Sequence, residues 1–410
     1  MNSRRLAFLY SPAIETLSYP PDCPFKTQRS TLARSQIISF GLLGATGREE
    51  IAARPATLAE LKRVHTPAYL NELQRAAAGD LTAAGFNMGL GGPDTPAFAD
   101  MYIYGAWACG AGLMAADRLL TGKSDIAFNL LGGFHHAMPG RAGGFCYLND
   151  VALACDHLAR AGKRVLYLDV DAHHGDGVQE IFYERSDVFT ISMHESGTTL
   201  FPWGGFENET GHDAGLGYNA NIPLPAGTYD DAFRRAFERV VLPLIGAYRP
   251  DVIVLELGMD TLAGDPLTHL RLTNNIVVDV LDRLMQFRRP LLVAGGGGYH
   301  VENTVRAWTL AWRTCAGEGD EDAASLGLGG VMLGSSEWAG GLRDRQLPVS
   351  AEQRAAVEKE LETTLKRVIE KVFPFHGLGH AAPAIAPATR ALDEPEFIPQ
   401  TQPTLTTNKP

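Results

Sequence analysis

RVLYLDVDAHHGDGVQEIF, residues 164–182, begins as an apolar strand and ends in Asp169, Asp171, His173, His174 and Asp176. Burying charge is costly unless it is paired or bound to a metal. A strand that ends in such a cluster therefore marks a place where counter-charges gather. In extended chain, residues i and i+2 point to the same face, so Asp171 and His173 offer a carboxylate oxygen and an imidazole nitrogen on one side. That is a two-ligand platform for a divalent metal. A catalytic zinc site takes three protein ligands and keeps one position open, and Asp260, at the end of another apolar run, is a candidate third ligand.

Similar runs recur. Leu6–Tyr10, Ile126–Leu131, Val165–Val170, Val188–Ser192, Val252–Leu257 and Leu291–Ala294 are nearly continuous in Val, Ile and Leu, as strands covered on both faces are. Tyr104–Leu120, Asp150–Ala161, Asp230–Tyr248, Asn274–Arg288 and Val301–Arg313 read as helices between them. Strand–helix alternation predicts an α/β fold, a mostly parallel sheet with helices on both faces. Its ligand site is expected beyond the carboxyl ends of the strands. Four runs end in polar clusters there: His135 and His136; Asp169 to Asp176; Asp260 and Asp265; Tyr299 and His300.

Composition narrows the classes. The chain has 410 residues and a net charge of −11, which argues against a general nucleic-acid binder. No stretch approaches the ~20 apolar residues of a membrane span. Cys23, Cys109, Cys146, Cys155 and Cys315 are scattered and never CxxC, so neither a disulfide framework nor a thiolate zinc site is indicated, and a reducing cytoplasm suits the chain. A charged helix runs from about Ser350 to Val372. Residues 1–375 are expected to form one catalytic domain, and the Pro-, Ala- and Thr-rich residues 376–410 an extended tail.

His135-His136 follows Gly-Gly, where backbone turns tightly. Two histidines in a loop are often structural, but Asp169 and Asp176 are free to pair with them, fixing tautomer and basicity. In GGGGY the four glycines let the chain approach a ligand closely, and the Tyr299 phenol can donate to a developing oxyanion. A phosphate-binding loop of the Walker type is excluded because no Gly-Lys-Ser/Thr follows.

GGFHHA, GFCYLND, DVDAHHGDGV, GMDTLAGDP and GGGGYH together resemble the motifs of zinc-dependent histone deacetylases and their bacterial relatives, the acetoin-utilisation and acetylpolyamine amidohydrolase proteins. The resemblance covers about Leu6 to Ala316. It implies an eight-stranded arginase/deacetylase-like sheet with long loops at the strand ends, and metal-dependent hydrolysis of acetyl-lysine or a related acylamine. It implies Asp171, His173 and Asp260 as ligands of Zn2+ (or Fe2+ in the cell). The catalytic group would be His135, His136, Tyr299, Asp169 and Asp176. Substrate would be lined by Gly144, Phe145 and Phe201, with Asp94 at the rim. K+ would be held by Asp169, Asp171, His173, Ser192 and Met193, and a second K+ near Phe182, Arg185, Val188 and Tyr218. Arg29 loosely matches an arginine beside an internal product channel.

Leu267 stands where polyamine-selective relatives carry a glutamate, which favours an acetyl-lysine peptide or protein as partner. The segment FPWGG departs from the family's usual FPGTG and adds Trp203 at the rim. An acetylpolyamine or arginase-like amidohydrolase and a non-catalytic acyl-lysine binder are the alternatives, and homo-oligomer formation is left open.

Overall fold

The computed structural model describes residues 4–318 and 341–379. Its centre is an eight-stranded sheet, and every pairing among the described strands is parallel. The strands are β1 (Leu6–Tyr10), β2 (Arg48–Ala52), β3 (Ile126–Asn129), β4 (Val165–Asp169), β5 (Val188–Glu195), β6 (Asn219–Leu224), β7 (Val252–Glu256) and β8 (Leu291–Ala294). Their order is β2-β1-β3-β8-β7-β4-β5-β6. The middle strands are buried along their whole length because helices cover both faces, which is why they read as unbroken apolar runs.

The two strands not expected from sequence, β2 and β6, lie at the sheet's edges. REEIA in β2 keeps its acids outward, with no residue fully buried. NANIPL in β6 carries Pro223, whose missing N–H an edge strand tolerates. The expected helix Asp230–Tyr248 contains a wide turn over Phe237–Val241, between helical Asp230–Ala236 and Leu242–Tyr248. Pro243, which donates no backbone hydrogen bond, follows that turn directly. The helix Ala351–Val372 is capped by the Ser350 hydroxyl and packs beside β6. The chain stays on the core beyond it, since the His376 ring stacks on Phe189 at 4.7 Å. Of the expected tail, residues 380–410 lie outside the described residues.

Strand order positions the chemistry. β3, β8, β7, β4 and β5 are consecutive neighbours, and all run the same way. Gly132–His136, Gly295–Tyr299, Gly258–Asp260, Asp169–His173 and Ser192–His194 therefore emerge side by side along one edge.

Candidate active site

Asp171, His173 and Asp260 are buried, and their donor atoms lie within 4.8 Å of one another. His173 Nδ1 is 3.2 Å from Asp171 Oδ1 and 2.9 Å from Asp260 Oδ2. The remaining carboxylate oxygens are anchored by backbone. Gly297 N–H donates to Asp171 Oδ2 at 2.6 Å, and Ala172 N–H donates to Asp260 Oδ1 at 2.9 Å. Burial and the Asp171 charge push the Asp260 carboxyl up to about 7. Burial alone would lower the His173 imidazolium, but its hydrogen bonds to Asp171 and Asp260 outweigh this and raise it to about 10. Two acids facing one imidazole in a dry pocket thus carry an excess of negative charge. One nitrogen and two carboxylates are also the donor set of a catalytic divalent-metal site, so the residues fit such an ion.

The histidine pair stands beside this triad. His135 Nδ1 lies 2.9 Å from Asp169 Oδ2, which also accepts from the Tyr167 hydroxyl at 2.7 Å. His136 Nδ1 lies 2.7 Å from Asp176 Oδ1, and the two Nε2 atoms are 3.0 Å apart. The His136 and His173 ring centroids are 5.8 Å apart. The titrations of the pair are driven apart. For His135 the effect of burial, which lowers it, is overcome by Asp169 and Asp171, and it rises to about 9. His136 falls to about 4 through burial and the neighbouring His135 charge, against the pull of Asp176.

Sequence reasoning missed Glu256, at the end of β7. Its Oε1 is 3.8 Å from His135 Nδ1, and neither carboxyl oxygen has a hydrogen-bond partner among the described residues. Burial, with Asp169 and other acids nearby, raises this carboxyl well above the usual range. The only signal in the sequence was an acid inside the otherwise apolar VIVLELG.

Tyr299 faces the triad, its ring 6.2 Å from His173 and 5.8 Å from Phe145. Its backbone N–H donates to Asp265 Oδ2 at 2.7 Å, and Leu267 N–H donates to Asp265 Oδ1 at 3.0 Å. Asp265 thus ties the tyrosine to the loop that carries Leu267. Burial pushes the Tyr299 phenol well up, so it stays protonated. The Phe201 ring lies 5.1 Å from that of His136 and 6.4 Å from that of His173. Asp94 Oδ2 accepts the Gly144 N–H at 3.0 Å, and the Phe145 N–H donates to the Asp94 carbonyl at 2.9 Å. A side chain at Gly144 would strike the His136 ring, 2.3 Å from where its Cβ would stand. Trp203 is 64% exposed with φ +64°.

The nine residues expected around potassium fall into two places. Asp169, Asp171, His173, Ser192 and Met193 lie at the carboxyl ends of β4 and β5, where Asp169 and Ser192 are in register. Phe182, Arg185, Val188 and Tyr218 lie at the opposite end of β5. There Arg185 N–H donates to the Phe182 carbonyl, and its guanidinium pairs with Asp156 and Asp187. Arg29 is buried behind the glycine loop, donating to the carbonyls of Gly298 at 2.7 Å and Gly296 at 2.9 Å. His174 contacts Gln179 at 3.0 Å and stays outside the triad.

The histone deacetylase domain profile matches residues 23–315. The chain is 39% identical over 317 residues to the acetoin utilization protein AcuC of Bacillus subtilis, covering 75% of this chain and 81% of that protein. It is 37% identical over 312 residues to histone deacetylase RPD3 of Saccharomyces cerevisiae, covering 75% and 71%. A crystal structure of a histone deacetylase homologue from Aquifex aeolicus superposes with a TM-score of 0.75 at 33% identity, covering 87% of this chain and 99% of that one. Another homologue, solved in complex with SAHA, gives 0.77 at 32%, covering 90% and 100%. No helix among the described residues is long and apolar enough to cross a membrane. With its sheet order, its polar strand ends and the matched domain all in agreement, the chain belongs to the histone deacetylase family.

Proposed function

We propose that this deacetylase hydrolyses the side-chain amide of acetyl-lysine in a peptide or protein, releasing acetate and the free amine, with zinc as its resident metal. The observation that carries the reading is the meeting, in one buried pocket, of a three-donor set (Asp171, His173, Asp260), a histidine pair backed by two aspartates, and a protonated tyrosine. A divalent ion on those three donors supplies Lewis-acid polarisation of a carbonyl and a water of lowered pKa.

The protein's own residues do the rest. His136, neutral and oriented by Asp176, accepts the proton of the attacking water. Tyr299 donates its hydroxyl proton to the oxygen on which negative charge develops. His135, held cationic by Asp169, serves as the acid for the departing amine, and the 3.0 Å contact between the rings lets one proton pass between them. Pairs of titratable groups whose environments push them apart commonly divide acid and base work in this way. Phe145 and Phe201 flank the acyl-lysine stem, Gly144 leaves room for it, and Asp94 meets the substrate backbone at the rim. We assign potassium to Asp169, Asp171, His173, Ser192 and Met193, and a second ion to Phe182, Arg185, Val188 and Tyr218.

Turnover of an acetyl-lysine peptide panel, run beside acetylpolyamines and with chelator and SAHA controls, tests the reading. Hydrolysis of the peptides, lost on chelation and inhibited by SAHA, is expected. Turnover of polyamines alone overturns the substrate assignment, and indifference to chelation overturns the metal.

A further inference from the structure

Gly132–Met138 carries both histidines yet belongs to no helix or strand. Buried loop backbone of this kind must find its hydrogen bonds elsewhere. Three buried residues that the chemistry above leaves unused supply them. Asp150 Oδ1 accepts from Gly133 N–H at 3.0 Å and Phe134 N–H at 2.9 Å. Asn149 Nδ2 donates to the carbonyls of His135 at 3.3 Å and Ala137 at 2.9 Å. The Asn149 N–H donates to His65 Nε2 at 2.9 Å, and His65 Nδ1–H reaches the Met138 carbonyl at 3.0 Å. Backbone atoms of Gly133, Phe134, His135, Ala137 and Met138 are thus held on both sides of His136.

There is no slack in the arrangement. A Cβ at Gly132 would stand 1.7 Å from Asp150 Oδ2, and His65, Asn149 and Asp150 are at most 2% exposed. His65 reaches this clamp from a distant part of the chain, the connection between the helices Leu58–Leu61 and Pro67–Ala77.

We propose that His65, Asn149 and Asp150 are positioning residues that aim the two imidazoles at Asp169, Asp176 and the substrate. This rests on the reading of His135 and His136 as proton carriers. A shift of about 1 Å at a reacting group can cost on the order of 100-fold in rate, and a freed loop allows such a shift.

The test compares Asp150→Ala, Asp150→Asn and His65→Ala with the wild type. Asparagine keeps an acceptor oxygen for both N–H groups. Its new amide would replace Oδ2, which accepts from Asn129 Nδ2 at 3.1 Å, so Asn129 must turn its own amide over to present Oδ1, giving up its bond to the Ala108 carbonyl. Expected is a fall in kcat of about 10- to 100-fold for Asp150→Ala and His65→Ala, with KM and metal content per chain unchanged. Asp150→Asn should stay within about threefold. Proton NMR gives a readout independent of turnover. The downfield imidazole N–H resonance from the 2.7 Å His136–Asp176 bond should persist in the wild type and Asp150→Asn and vanish in His65→Ala. If Asp150→Ala does not fold, Asp150→Asn and His65→Ala decide. Wild-type kcat and an intact resonance in His65→Ala overturn the proposal, as does loss confined to KM or metal content. An inactive wild type with a normal resonance response refutes the assigned activity and leaves the clamp standing.

Discussion

Tyr299→Phe removes one oxygen and leaves the ring. In the folded protein that ring packs edge-on to Phe145 at 5.8 Å and to His173 at 6.2 Å, contacts a phenylalanine keeps. The hydroxyl makes no hydrogen bond with any described residue, so nothing in the resting protein loses a partner. Stability should therefore stay within about 0.5 kcal/mol of wild type. In the transition state the position is different, because in the proposed mechanism the phenol donates to the developing oxyanion. Loss of a single such donor costs about 10²- to 10³-fold in kcat, or roughly 3–4 kcal/mol of barrier. The interaction exists only in the transition state, so kcat and kcat/KM should fall together while KM holds. Steady-state kinetics on an acetyl-lysine peptide, paired with a thermal melt and metal analysis, give the three numbers required. A kcat within about tenfold of wild type, or a loss explained by a lowered Tm or missing metal, would refute the assignment of Tyr299 as oxyanion donor.

Removing the metal with a chelator and dialysing it away should abolish turnover and restore it on adding back Zn2+. Asp171→Asn should fail to retain a stoichiometric ion by elemental analysis while remaining folded by circular dichroism. Arg29→Met leaves the carbonyls of Gly296 and Gly298 without their donor inside the protein, a loss of about 2–4 kcal/mol in urea unfolding, with kcat reduced because Tyr299 follows that loop. For Glu256→Gln the sign follows from linkage. A carboxyl whose folded pKa is raised opposes folding increasingly as pH rises above its unfolded value of about 4.5. The variant should therefore be more stable than wild type at pH 8, with the gap closing toward pH 4.5. An unchanged difference across that range would show that Glu256 ionises freely in the fold.

How much could be read from the sequence depended on whether a signal was local. Val165–Asp169 is an unbroken apolar run because helices cover both its faces, but the strand ends there, and Asp171 and His173 meet through a bend rather than through the two-residue period of extended chain. β2 was illegible because it lacks that burial, whereas β6 is buried along its whole length but spells NANIPL, two asparagines and a proline, rather than an apolar run. Asn219 and Asn221 of β6 look like turn residues, yet their amides are bound by Gln179 and, for Asn219, the Glu209 carbonyl. Glu256 was missed since an acid inside a strand has no pattern of its own, and its importance comes from lying in register with Asp169 on the neighbouring strand. The link from His65 to Asn149 was hidden by a separation of 84 positions along the chain.

The loops from β3 and β8 meet backbone to backbone. A Cβ at Gly133 would stand 2.2 Å from the Gly296 nitrogen, and one at Gly295 would stand 2.6 Å from the Gly132 carbonyl. One of these loops leads into the histidines, the other into the tyrosine. A single added methyl at this seam would displace the histidine loop and the Tyr299 loop together, so no gradual route of substitution leads through it. Diversification within such a protein is channelled outward instead. The exposed side chain of Trp203 stands outside this seam, so new substrate preferences can arise at the rim while the floor of the pocket is inherited intact.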